Sequence, residues 1–142
     1  MDVEWLILAD AAQVVGNKLY LLGGGWDVLT VNTGFPTRQH CALAASFRMP
    51  WNETNMRHPV EIVIATEDQQ EVAKVQFQVE VGRPAGIQPG IDQRSQVAIA
   101  LDLEFKAPGA FVITAAIGGE ERARTHFRVV PGPLAPRPAA PQ

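Results

Sequence analysis

Residues 71–81 read EVAKVQFQVEV and alternate without a break. Ala73, Val75, Phe77, Val79 and Val81 fall on one side, and Val72, Lys74, Gln76, Gln78 and Glu80 on the other. Side chains of a strand point alternately to its two faces, so this pattern predicts a strand with one face in a core. The same period returns along the chain. Cys41, Leu43, Ala45, Phe47 and Met49 share one face, as do Val60, Ile62 and Ile64. Val97 to Phe105, Phe111 to Ile117 and Ala123 to Val129 repeat it at odd positions. Polar or glycine-containing turns separate these runs, at residues 67–70, 106–109 and 118–119, with a longer loop over 82–94. Residues 3–9 add an apolar run, WLILA at its heart, that reads as a first strand, although the same run could begin a helix through Ala12 and Val15. About eight strands, short turns and no convincing helix predict an all-β antiparallel two-sheet sandwich, immunoglobulin-like in architecture.

The stretch KLYLLGGGWDVLTVNTGFP, residues 18–36, is harder to place. Three successive glycines in a strand admit two structures, the loop of a tight hairpin or a bulge in one long, bent strand. They are not a phosphate loop, because the GxxxxGK[ST] spacing and a following helix are both absent.

With 142 residues the chain fits one domain, and its net charge of −3 offers no general attraction to nucleic acid. Cys41 is the only cysteine, so an internal disulfide is excluded. That fits a reducing compartment, and with no secretory pattern or membrane-length apolar run the expected location is cytoplasmic. From Pro131 the composition narrows to Pro, Ala and Gly, which predicts a sandwich domain over 1–130 and a disordered, extended tail over 131–142.

Lys18, Gly25, Trp26, Asp27, Phe35 and Pro36, together with the opening WLILADAAQVV, carry a resemblance. A lysine-led apolar strand, a glycine, an aromatic-Asp pair and Phe-Pro resemble a family of small uncharacterised bacterial β-sandwich proteins. The later PWNETN and PGAFVITAAIGGEE segments are compatible with it over residues 1–130. The resemblance implies a bulge rather than a hairpin at the glycines, and a strand at the N-terminus. It implies no catalytic residue.

The candidate chemistry is thin. His40, His58 and His126 lack metal-ligand spacing, and His40 and Cys41 point to opposite faces of one strand. Neither Ser46 nor Ser95 sits in a nucleophile elbow. No catalytic residue, metal or cofactor is expected. Two surfaces remain. If loops 11–17, 49–58, 82–94 and 118–121 share one end of the sandwich, they gather Trp51, Asn52, Glu53, Asn55, His58, Arg83 and Arg94. That mixture suits a small polar ligand or a carbohydrate, while the plainer reading makes Trp51 a plug. On the outward strand faces, Ala42, Ala44, Val63, Ala65, Ala98 and Ala100 are small or apolar where solvated sheets carry charge. Arg122, Arg124 and Arg128 form a basic stripe that would discourage edge pairing. The sequence therefore predicts a non-enzymatic interaction module, self-associating or bound to another protein, with ligand binding second and an unrecognised enzyme third.

Overall fold

The computed structural model describes residues 1–136. Nine strands follow in order: β1 (Asp2–Val15), β2 (Lys18–Gly24), β3 (Val28–Val31), β4 (Thr37–Met49), β5 (His58–Thr66), β6 (Glu71–Val79), β7 (Gln93–Phe105), β8 (Gly109–Ile117) and β9 (Glu120–Pro131). A single 3₁₀ turn, Trp51–Glu53, lies between β4 and β5. The strands form a four-stranded sheet in the order β2-β1-β4-β7 and a five-stranded sheet in the order β3-β9-β8-β5-β6. All pairings are antiparallel except β3 with β9. The two-sheet, all-β architecture expected from the alternation is present.

The core forms between the alternating apolar faces. From β4 come Cys41, Leu43, Ala45, Phe47 and Met49, none more than 2 % exposed. Ile62 and Ile64 of β5 and Ile113 of β8 meet them from the other sheet. At one end Phe105, Phe111 and Phe127 pack together, with Phe111 stacked on Phe127 at 5.3 Å and Phe105 edge-on to Phe111 at 5.0 Å. Phe77 belongs to this core at its margin: it is half-buried and meets Phe47 edge-on at 6.2 Å.

The glycines of residues 23–25 form neither a hairpin loop nor a bulge. Gly23 and Gly24 end β2, where Gly24 still pairs with Ala9, and from Gly25 the chain crosses from the four-stranded sheet to β3 in the five-stranded one. Gly23 and Gly25 have φ of 60° and 84°, the left-handed region that glycine enters without strain. A Cβ on Gly23 would also collide with the Asp10 carboxylate. The bulge implied by the family resemblance is thereby corrected to a crossover. The β1–β2 turn is instead the two-residue Gly16-Asn17, with φ of 57° and 62°, suited to a tight hairpin.

This hairpin has an unexpected position. β1 pairs with β4 from Asp2 to Ala9, but with β2 only from Ala9 to Val15. Neighbouring strands lie about 4.8 Å apart, which would put β2 about 14 Å from β7, three places away in sheet order. Yet their Cα atoms approach within 8 Å. Gln96, outward-facing in β7 like Ala98 and Ala100, donates from Nε2 to the Asn17 carbonyl at 3.2 Å. Beyond Ala9 the hairpin therefore folds back across the outer face of its own sheet.

The start of the Pro-rich segment is tied to the domain. Pro131 pairs with Val31, and the Gly132 N–H donates to the Val31 carbonyl at 2.8 Å. Pro131 and Gly132, expected to open a disordered tail over 131–142, are thus bonded to the domain, and residues 137–142 lie outside the described residues.

Candidate functional site

Pro50 leads the chain out of β4 into the 3₁₀ turn that presents Trp51, Asn52 and Glu53. The Thr54 hydroxyl, 5 % exposed, donates to the Trp51 carbonyl at 2.7 Å and so closes the turn. Arg83, from the β6–β7 connection, then locks it. Its Nε donates to Thr54 Oγ1 at 2.6 Å and its Nη2 to the Trp51 carbonyl at 2.9 Å, while the guanidinium lies 4.0 Å over the Trp51 ring. A cation over an indole face is an attractive contact in its own right. Asn55 adopts φ of 59° and donates its N–H to the Val81 carbonyl at 2.8 Å, joining the same two loops. Glu53 accepts from the Met1 ammonium, and its carbonyl meets His58 Nε2 at 2.8 Å.

The structure brings together the four loops that the sequence placed at one end. The hairpin tip at Asn17 shares a cavity of about 380 Å³ with Gly82, Pro84, Arg94 and Gln96. Gly118 donates to the Pro59 carbonyl at 2.9 Å, which sets the β8–β9 turn beside β5 at that end. The residues do not converge on a common ligand position, however. Arg83 occupies one face of the Trp51 ring, the kind of surface on which a sugar or aromatic group stacks. Arg94 is engaged elsewhere: its Nε and Nη2 donate to both oxygens of Glu4 at 2.6 and 3.0 Å. Asn52 is exposed and Glu53 is held by the N-terminus.

Glu4 is the residue at which β1 slips register against β4, between Val3 and Trp5. Its carboxylate also accepts from Ser46 Oγ at 2.8 Å and Arg48 Nη2 at 3.0 Å. The Arg94 hydrogen bond leads the effects that hold its pKa down at about 2, against the opposing effect of burial. Ser46 is thus a satisfied buried hydroxyl rather than a nucleophile. Cys41 is 2 % exposed, and burial, then the negative charge of Asp10, push its thiol up to about 11. Such a thiol is inert at neutral pH. Among the described residues no group of three His, Cys, Asp or Glu side chains is placed to hold a metal ion.

The small outward residues divide between two surfaces. Ala42, Ala44, Ala98 and Ala100 belong to the four-stranded sheet, whereas Val63 and Ala65 belong to the five-stranded one. Ala42 and Ala44 are 3 % and 0 % exposed in the single chain, so no partner can reach them. The folded-back hairpin covers them, which explains why they are small: larger side chains would hold its backbone off the sheet. Ala65 is buried, Val63 and Ala98 are half-buried, and Ala100 is exposed. In the basic stripe, Arg122 is paired with Asp2 at 2.8 Å and Arg124 with Glu121 at 2.7 Å. β3 borders β9 only from Arg128 onward, so Arg122 and Arg124 stand where that edge is open.

By covering the alanines, the hairpin presents a new apolar face of its own. Ala12, Val14, Leu19 and Leu21 are half-buried, while Ala11, Val15, Tyr20 and Leu22 are exposed. Ala11 pairs with Leu22, Gln13 with Tyr20 and Val15 with Lys18, so the exposed apolar side chains are neighbours on one side of the ribbon. Val15, Tyr20 and Leu22 are 51 %, 55 % and 72 % exposed. The sequence reading missed this surface. Its signal was the run LYLL, apolar at both parities, which a strand with one solvated face does not need.

A two-sheet β-sandwich whose conspicuous surface is an apolar hairpin defines a class of architecture rather than an activity. Residues 4–130 match the family of unknown function DUF6941, and the chain belongs to it. A comparison with curated proteins finds no match.

Proposed function

We propose that the chain is a non-enzymatic interaction module that self-associates. The observation that carries this reading is the contiguous exposure of Val15, Tyr20 and Leu22 on one side of the β1–β2 hairpin. An apolar patch on an otherwise charged surface is what protein contacts bury. The aromatic Tyr20 at its middle suits a contact core. The internal satisfaction of Trp51, Arg83, Glu4 and Arg94 supports the same reading, because these side chains are spent on holding loops and strands. Ligand binding at the Trp51 end takes second place, since Arg83 already occupies one face of the ring. A reducing, cytoplasmic setting suits the lone, unpaired Cys41. The test is the solution mass of the wild-type chain beside Tyr20→Glu and Leu22→Glu. The reading predicts an oligomer that both variants reduce, with unfolding temperatures close to wild type.

A further inference from the structure

Among the described residues β7 borders only β4, which leaves its other edge unpaired. Unpaired edges invite strand addition, and natural sheets blunt them with lysines, prolines, bulges or short strands. The other three edges show such devices. β3 has 4 residues, β2 runs out into glycines, and β6 carries Lys74 at mid-strand and a register slip against β5 between Ile64 and Ala65. β7 has none of these over 13 residues, and its register with β4 is unbroken from Gln93, opposite Met49, to Phe105, opposite Thr37.

Its sequence is also complementary to itself. Charge is confined to the ends, with Arg94 near the start and Asp102 and Glu104 near the finish, around the apolar centre VAIAL. We propose that two copies of the chain pair through the free edges of β7, antiparallel, about a twofold axis at Ile99. Residues opposite one another in an antiparallel ladder share a face, so their numbers add to an even constant. Full overlap of β7 on itself centres the ladder on Ile99. That register sets Arg94 opposite the partner's Glu104, Gln96 opposite the partner's Asp102, and Ala98 opposite the partner's Ala100. On the core side Val97 meets the partner's Leu101. Arg94 and Glu104 have the surface for this, with side chains 52 % and 55 % exposed. Arg94 uses Nε and Nη2 on Glu4, and its Nη1 has no partner among the described residues. The result is one continuous eight-stranded sheet, twice the four strands of each copy, with both hairpins on the same side.

This inference rests on the self-association reading and names its geometry: the two hairpins, set side by side on one face of the joined sheet, belong to the same contact, so Leu22→Glu and Glu104→Lys are both expected to dissociate it. The test combines light scattering of wild type, Glu104→Lys and Leu22→Glu with oxidative cross-linking of cysteine variants. Glu104→Lys sets like charges opposite each other twice per dimer, and a dimeric wild type is expected to become monomeric. A mixture of Ala98→Cys and Ala100→Cys chains is expected to cross-link several-fold faster than either alone. Opposite positions bring Cβ atoms near disulfide range, whereas the diagonal positions facing each single variant do not. A dimer that Leu22→Glu dissociates but Glu104→Lys leaves intact, without preferential mixed cross-linking, overturns the β7 pairing and keeps self-association. A monomeric wild type overturns both.

Discussion

Gln96 of β7 donates its side-chain amide to the carbonyl of Asn17, 79 residues earlier in the chain, at 3.2 Å. That bond joins the tip of the β1–β2 hairpin to the outer face of the sheet from which the hairpin departs. Gln96→Ala is expected to cost about 1 kcal/mol, as for a single exposed hydrogen bond. Amide hydrogen exchange at residues 16–19 should quicken, while the β4–β7 ladder keeps its protection.

The alanine seat beneath the hairpin predicts a second outcome. Ala44 is 0 % exposed, so Ala44→Glu buries an unpaired carboxylate against the hairpin and should destabilise the fold by several kcal/mol. The variant should show a large drop in the urea midpoint. Dissociation of a still-folded chain would mean that Ala44 lies in an interface between copies. Ala100→Glu, at an exposed position of the same stripe, should leave stability within about 0.5 kcal/mol of wild type.

Glu4 predicts a pH dependence. Its folded pKa of about 2 lies below the ordinary value of 4.5, so its contribution is complete above pH 4.5 and is lost as pH falls towards 2. Because Arg48 and Arg94 are about half exposed, screening limits that contribution to about 1 kcal/mol. Unfolding curves of Glu4→Gln should converge on those of wild type across this interval. A constant gap down to pH 2 would contradict the assigned titration.

Arg83 predicts a test of the Trp51 end. Arg83→Ala removes the cation over the indole and two hydrogen bonds, at an expected cost of about 1–3 kcal/mol. Quenching of tryptophan fluorescence by acrylamide should increase. Unchanged stability and quenching would show that Arg83 does not hold the loop in solution.

Period-two alternation made the core faces of β4 to β9 legible, because each inward residue is fixed by its neighbour's position. Cys41, Phe47, Ile62, Ile113 and Phe127 all lie where that rule puts them. Two features were not readable in the same way. Residues 23–25 permit several conformations, and which one forms depends on β3 finding β9, about a hundred residues away. The apolar outer faces show that something covers them, but pattern alone does not distinguish a second copy from the chain's own hairpin. Ala42 and Ala44 marked a contact within the chain, where both are buried, while Ala100 of the same face is exposed. The exposed apolar surface had moved to Tyr20 and Leu22.

The most direct test of the central claim is the mass of the folded chain by light scattering at micromolar concentration, with Leu22→Glu measured alongside. Leu22 is 72 % exposed on the hairpin's outer side, so the substitution leaves the core untouched. The predicted result is an oligomeric wild type and a variant of lower mass with an unchanged unfolding temperature. A wild type that is monomeric throughout, with a variant of identical mass, would contradict the claim that the hairpin is an assembly surface.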